Sequence, residues 1–405
     1  MNFIIFTETD FPVGGATTSR IKLISKCLTE AGNNITLAIL NAESKSLLSG
    51  NETAKGVHDG IEYIYLSNKT VRPSDFIGSL IDTLRGILFS PIFLYTKATR
   101  CRIDAIILYT PNLINCSFCI AFSKLYRIPI FVELCEIQSK SENEQTFKQK
   151  IMSIGYLLAE TFIPRIANGF IVISTKIRDF YVNKGVQKSH IFLLPIIVDF
   201  DYYQKVFLTE ISILKDKQYF LYSGSFDEKD GLEYVIRAFS NIAIKQGELF
   251  LVLTGQPTKA IKDNILNLAN RLNVSDKIKF TGFITNDELI WCYQNAMALI
   301  CCRTNSKYAN FGFPTKLGEY LSVGKPVVAT KVGDIERYLS DEESVFFAEP
   351  ENVESISQKM EKVLANQATS AQTGNKGRFV AKNAFDYRNY IYSLDAFIKS
   401  RIWRK

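Results

Sequence analysis

The strongest constraint on this chain is a rhythm in which short apolar runs alternate with stretches of helical period, and the rhythm starts twice. In the first half, strands are expected at Phe3 to Phe6, Ile35 to Leu40, Ile61 to Leu66, Ile103 to Tyr109, Pro129 to Leu134, Gly169 to Ile173 and Ile191 to Leu194. Between them lie helical patterns such as Thr17 to Glu30, where Ile21, Ile24, Leu28 and Ala31 share one face. A second series opens at Tyr219 to Tyr222 and runs through Leu249 to Leu253, Lys277 to Phe280, Met297 to Cys302 and Pro326 to Ala329. Alternation of this kind predicts parallel sheets built from strand-helix-strand units, an α/β class. At 405 residues the chain also exceeds the size at which one core keeps growing, and 47% hydrophobic content supplies two.

The predicted domains are 1–200 and 201–382, with 383–405 as a closing aromatic helix. Residues 196–216 show Pro195 just upstream, acids at Asp199 and Asp201 and no sustained period, so the chain is expected to cross between domains there. No tandem repeat or low-complexity segment interrupts either half.

Composition removes several function classes. The 48 Lys and Arg against 41 Asp and Glu give +7, spread along the chain rather than gathered in blocks, which does not point to nucleic acid. With only His58 and His190, neither a Ser-His-Asp triad nor a multi-histidine metal site has enough material. Cys116 and Cys119 have the spacing of half a zinc site but lack a second pair, and the eight cysteines read as reduced, buried thiols. A reducing, cytoplasmic setting follows from them. No phosphate-binding GxxxxGK[ST] or dinucleotide GxGxxG pattern occurs. Asp199-Phe200-Asp201 has the form of a metal-chelating DxD, but lies in the crossover without supporting features. The chain enters a strand at once, and no apolar run is read as a spanning helix.

Both halves open as strand, glycine-bearing loop, helix. In TETDFPVGGA the amides of Gly14 and Gly15 can approach a phosphate beside a helix start, or can simply make a tight turn. In YSGSFDEKDG, Ser225 and Lys229 flank a loop able to hold an anion, although Asp227, Glu228 and Asp230 also suit a solvated loop. The densest segment is NSKYANFGFPTKLGEYLSVGKPVVAT. Its loop at Gly312, Phe313 and Pro314 leads through Thr315 into a short helix carrying Lys316, Glu319 and Tyr320. Glu319 can accept hydrogen bonds from a vicinal diol such as a ribose while Lys316 and the loop amides face a diphosphate. Two facing anion loops make the cleft between the domains the default ligand site.

These segments resemble the retaining GT-B glycosyltransferases of family 4. The resemblance is carried by PVGGA, FIVIST at Phe170 to Thr175, LLPIIVD ending at Asp199, YSGSFDEKDGLEYVIRAF, KFTGF at Lys279 to Phe283 and FGFPTKLGEYLSVGKPVVAT, in the family's order and most strongly in the second half. It implies a GT-B fold, two facing Rossmann-like domains with an interdomain cleft and a closing C-terminal helix. It implies a UDP- or GDP-linked sugar donor, with Glu319 on the ribose and backbone groups around Phe283 and Ile284 on the base. Gly15, Ser225, Lys229 and the loop from Gly312 to Lys316, including Phe313 and Thr315, would surround the diphosphate and sugar. Amides and cations, with Lys229 and Lys316 as catalytic charges, would stabilise the departing diphosphate without a metal or other cofactor. Glu136, just past the strand IFVELCE, would orient or deprotonate the acceptor.

Two positions depart from the family. Phe311 stands where the first of two glutamates is usual, and Ser225 where an arginine normally follows the loop glycine. The implied activity is transfer of a hexose-type sugar with retention, from the donor to a growing, lipid-linked glycan in surface polysaccharide synthesis. A nucleotide-sugar epimerase, or a weakened partner of another transferase, are the rival readings. The apolar stretch around Ile87 to Tyr95, flanked by Arg85, Lys97, Arg100 and Arg102, suits either a peripheral contact with the inner face of the cell membrane or burial in the core.

Overall fold

The computed structural model describes residues 1–44, 50–137, 147–205, 210–244 and 247–402, without the side chains of 147–149 and 151. Residues 206–209 of the expected crossover and 403–405 of the expected closing helix lie outside the described residues. The chain divides into two compact units, Met1–Pro195 with Tyr387–Lys405, and Ile196–Asp386.

The first unit is built on strands β1 (Asn2–Thr7), β2 (Asn34–Ile39), β3 (Lys55–His58), β4 (Ile61–Tyr65), β5 (Ala105–Tyr109), β6 (Ile130–Leu134), β7 (Gly169–Val172) and β8 (Ile191–Leu193). Their sheet order is β3-β4-β2-β1-β5-β6-β7-β8. All neighbours pair in parallel except β3 with β4, an edge hairpin that sequence reading missed. Every residue of β5, β6 and β7 is buried, as both-face coverage by helices requires. The helices are α1 (Ala16–Glu30), α2 (Phe76–Arg100), α3 (Ser117–Tyr126), α4 (Phe147–Ile166) and α5 (Thr175–Asn183).

The second unit is a six-stranded sheet of β9 (Gln218–Ser223), β10 (Leu249–Thr254), β11 (Ile278–Gly282), β12 (Ala298–Cys301), β13 (Val327–Thr330) and β14 (Phe346–Ala348). All its ladders are parallel, in the order β11-β10-β9-β12-β13-β14. This is the Rossmann order, which reverses direction between β9 and β12. Its helices are α6 (Leu232–Ala243), α7 (Lys259–Arg271), α8 (Asn286–Asn295), α9 (Lys307–Phe311), α10 (Thr315–Ser322), α11 (Val353–Ala365) and α12 (Gln367–Ala384). Leu232, Val235, Ile236 and Phe239 of α6 enter the core as their spacing predicts. β14, only three residues long, gave no sequence signal.

The division falls at Pro195–Ile196 rather than at 200/201, because Ile196 and Val198 pack beside Gly318 within the second unit. The tail is a turn at Tyr387–Tyr390 followed by α13 (Ile391–Ile402), and it completes the first unit. Leu394 and Ile398 are fully buried there, and the Phe397 ring lies 5.2 Å from Phe192 and 6.2 Å from Phe131. Asn33 Nδ2 donates to Asp395 Oδ1 at 2.8 Å.

Helix α2 has its polarity reversed. Ser79, Asp82, Gly86 and Ser90 face inward with Ile87 and Leu94, while Ile77, Ile81, Leu84, Leu88, Phe89 and Ile92 are exposed. Gly86 permits the packing: a Cβ there would sit 1.9 Å from the Leu40 carbonyl oxygen. The sequence pattern predicts no spanning segment, but this 25-residue helix has the length and composition of one, and most of it lies outside the core. Asp82 and Arg85 interrupt the apolar run in the sequence.

Candidate functional site

In an open parallel sheet, ligands bind outside the carboxyl ends of the strands where the order reverses. In the second unit that point is shared by the loop after β9, carrying Gly224 to Gly231, and the loop after β12, beginning at Cys302. Backbone contacts hold the loops together. The Thr304 amide donates to the Lys229 carbonyl at 2.9 Å, and a Cβ on Gly231 would lie 2.7 Å from the Cys302 carbonyl oxygen.

Helix α10 brings Lys316 to this point. Its Nζ lies 3.2 Å from Asp230 Oδ2 and 4.4 Å above the Tyr222 ring. Gly224 leaves room for it, since a Cβ there would meet Lys316 Nζ at 2.5 Å and the Tyr222 hydroxyl at 2.6 Å. The Tyr222 hydroxyl donates to Asp230 Oδ2 at 2.7 Å and accepts the Phe226 amide at 3.1 Å, fixing the loop. Burial acts to raise the Asp230 carboxyl, but Lys316, Tyr222 and Arg303 outweigh it, and the net shift is downward. Asp230 is therefore an ionised, buried carboxylate rather than one more acid of a solvated loop. Lys229 sits nearby, 3.6 Å from Asp227 Oδ2 and 4.5 Å over the Tyr308 ring. Ser225, exposed, donates to the same Asp227 oxygen at 2.7 Å.

Glu319 follows Lys316 on α10 and is half-buried. Tyr293 donates to its Oε2 at 3.3 Å, and Tyr203 donates to the same carboxylate. Burial raises its pKa; the two tyrosines and Lys316 oppose that without cancelling it. The helix is anchored by its next residue: Tyr320, fully buried, accepts the Ser223 amide at 2.9 Å at the end of β9. Lys316 and Glu319, separated by three residues, thus stand along one side of a fixed helix.

The remaining candidates fall in distinct places. Gly312 caps α9. Phe313 puts its ring into an aromatic cluster with Tyr338 and Phe385, each 5.7 Å away, which leaves only its backbone for a ligand. Thr315 begins α10. Phe283 and Ile284 lie between β11 and α8, Phe283 being highly exposed.

Gly14, Gly15 and Glu136 belong to the first unit, as does the reversal point between β1 and β5. Gly15 is the N-cap of α1, with open space around it. A Cβ on Gly14 would lie 2.1 Å from Thr18 Oγ1, which itself donates to the Asp10 carbonyl, so this turn has a structural demand for glycine. Glu136 is partly exposed beyond β6. The fully buried acid of that strand is Glu133, which accepts from Arg20 Nε at 2.6 Å, while Arg20 also holds the Leu194 and Pro195 carbonyls.

Among the described residues no group of three or more His, Cys, Asp or Glu is placed to hold a metal. A groove of about 770 Å³ between α6 and α7, lined by Glu233, Asn264, Asn267, Asn270 and Arg271, contains none of the candidate residues. Tyr222, Asp230, Tyr203, Tyr293 and Arg303 belong to the site without any signal in the sequence pattern that marks them. Asp230 stood in view but read as a surface acid, because burial is not visible in a run of charges.

Residues 207–379 match the family model described as Glycosyl transferases group 1. In the solved structures the whole chain has counterparts: sucrose-phosphate synthase from Thermosynechococcus elongatus (TM-score 0.74, 16% identity, 98% of each chain) and HepE from Anabaena in complex with UDP (TM-score 0.70, 15% identity, 99% of this chain and 100% of that one). WaaG, a glycosyltransferase involved in lipopolysaccharide biosynthesis, aligns with a TM-score of 0.66 and 14% identity over 98% and 99% of the two chains. The chain thus has the GT-B fold, α/β with two Rossmann-like units, and most of its second unit matches the glycosyl transferases group 1 model. Among curated proteins it is 28% identical over 160 residues to an uncharacterized glycosyltransferase of Methanocaldococcus jannaschii, a match covering 40% of this chain and 39% of that protein.

Proposed function

We propose that this protein is a retaining glycosyltransferase that moves a hexose-type sugar from a UDP- or GDP-linked donor to a growing, lipid-linked glycan of the cell surface, in the cytoplasm and without a metal. The observation that carries the reading is the arrangement on α10, where Lys316 meets the buried Asp230 carboxylate at the sheet's reversal point and Glu319 follows one turn later. A diphosphate against Lys229 and Lys316 and a ribose diol on Glu319 use both features at once. The UDP-glucose complex of HepE and the lipopolysaccharide role of WaaG support the donor and pathway classes by likeness of fold.

In this reading the anomeric carbon–phosphate oxygen bond breaks as the acceptor oxygen bonds to the same face of the sugar. The acceptor proton passes to the departing diphosphate, whose charge is held by Lys229, Lys316 and loop amides. Backbone groups at Phe283 and Ile284 hold the base, Ser225, Gly312, Phe313 and Thr315 line the donor, Gly14 and Gly15 add amides, and Glu136 orients the acceptor. Phe311 in place of a glutamate leaves the sugar's hydroxyls to other contacts.

The exposed face of α2 supports a peripheral membrane contact, where lipid-linked acceptors reside. The test is a panel of UDP- and GDP-sugars, with and without membrane lipid extract, scored for released UDP or GDP and for the anomeric configuration of the product. Acceptor-dependent release with retention is expected. An isomerised donor formed without acceptor would establish the epimerase instead, and tight nucleotide binding with no release would establish a non-catalytic partner.

A further inference from the structure

Arg303, two residues beyond β12, is fixed and buried. Its amide donates to Thr330 Oγ1 at 2.7 Å and its carbonyl accepts the same hydroxyl at 2.8 Å, so the backbone position is set on β13. The side chain is 8% exposed, yet Nε and Nη1 have no hydrogen-bond acceptor among the described residues. Asp230 Oδ1 lies 4.0 Å from Nε, which is Coulombic contact but too long for a hydrogen bond. The same carboxylate is already engaged through its Oδ2, which takes Tyr222 at 2.7 Å and Lys316 at 3.2 Å.

The cluster therefore holds two cations, Arg303 and Lys316, over one buried carboxylate, with Lys229 on the adjoining loop. An excess positive charge and unfilled guanidinium donors are costly inside a protein unless an anion completes them. We propose that Arg303 is a donor-binding residue whose planar fork takes the diphosphate of the nucleotide sugar, supplying the charge absent at Ser225. Ser225 is exposed and turned to Asp227, whereas Arg303 reaches the same cluster from the neighbouring loop. A guanidinium suits this role because its donors match two phosphate oxygens in one plane. The inference rests on the donor reading above and names a residue that reading does not include.

The test is calorimetric titration of the full chain with UDP and GDP, and ligand-detected NMR with uridine and guanosine, on wild type, Arg303→Met and Arg303→Lys. Loss of charge-assisted hydrogen bonds predicts that Arg303→Met weakens the bound diphosphate by about 10- to 100-fold and leaves the nucleoside unaffected. Arg303→Lys, which keeps the charge without the fork, should fall between, and decides the question if Arg303→Met does not fold. Diphosphate affinity equal to wild type in the folded variants overturns the role of Arg303 and leaves the donor reading intact, as does an equal loss for diphosphate and nucleoside, which marks a structural residue. A wild-type chain that binds neither UDP nor GDP removes the donor reading itself, and this inference with it.

Discussion

Glu319 accepts two tyrosine hydroxyls in a half-buried position, and that environment sets opposite demands on stability and binding. A carboxyl whose pKa is raised in the folded state gives its largest stabilisation when protonated, and this is lost as pH rises through the raised value. Ribose binding runs the other way, because only the carboxylate accepts from both hydroxyls of a diol. Nucleotide affinity is therefore expected to weaken as pH falls through a value above the ordinary glutamate range. Glu319→Gln should bind UDP or GDP about 10- to 100-fold more weakly, the loss of hydrogen bonds to a charged group, and should lose that pH dependence. It should also melt no lower than wild type at neutral pH, since it removes a buried charge. Titrations at several pH values, with thermal melts, check both halves; full affinity in the folded variant contradicts the ribose role.

At the scale of elements, two helices show how far secondary structure is set by its surroundings. Helix α10 is short and lacks a side-chain N-cap, but Tyr320 ties it to β9, and Leu317 and Leu321 are fully buried. The site residues are held by that anchoring rather than by helix propensity. Helix α13 is separated in sequence from the strands it covers, yet Leu394, Phe397 and Ile398 close the first unit's core. Full burial of Leu394 and Ile398 alone contributes about 3 to 6 kcal/mol, a large part of a domain's margin of roughly 5 to 15 kcal/mol. A chain ending at Asp386 is expected to leave the first unit unfolded or aggregated. Circular dichroism and solubility measure this, and a truncated chain that is soluble and melts like the full one refutes it.

Across the whole molecule, +7 of net charge is distributed without blocks, while exposed apolar side chains concentrate on α2 and continue at Phe118, Leu125 and Tyr126 of the neighbouring α3. Such a face is large for a surface that only meets water. Anionic vesicles are expected to float the wild-type protein at low salt. Added salt should weaken only the electrostatic part of binding, since screening leaves apolar burial untouched. Replacing both Leu84 and Leu88 by Glu should abolish flotation while leaving the circular dichroism spectrum unchanged, each leucine contributing about 1.5 to 3 kcal/mol of apolar transfer. A wild-type protein that stays unbound at low salt ends the membrane proposal.

The sequence by itself determined the α/β class, the doubled strand-helix series and the segment containing Lys316 and Glu319, because period and glycine-bearing loops are local properties that a linear pattern records. It was silent on β3 and β14, which exist through pairing with a neighbour rather than through patterning of their own. Only the tertiary structure decided that Asp230 is a buried partner and not a surface acid, that the Phe313 ring is core, and that α2 turns its apolar side outward. It alone brought Arg303 to the cluster. Burial and proximity between loops far apart in the chain depend on where the sheet reverses, and no local run of residues encodes that.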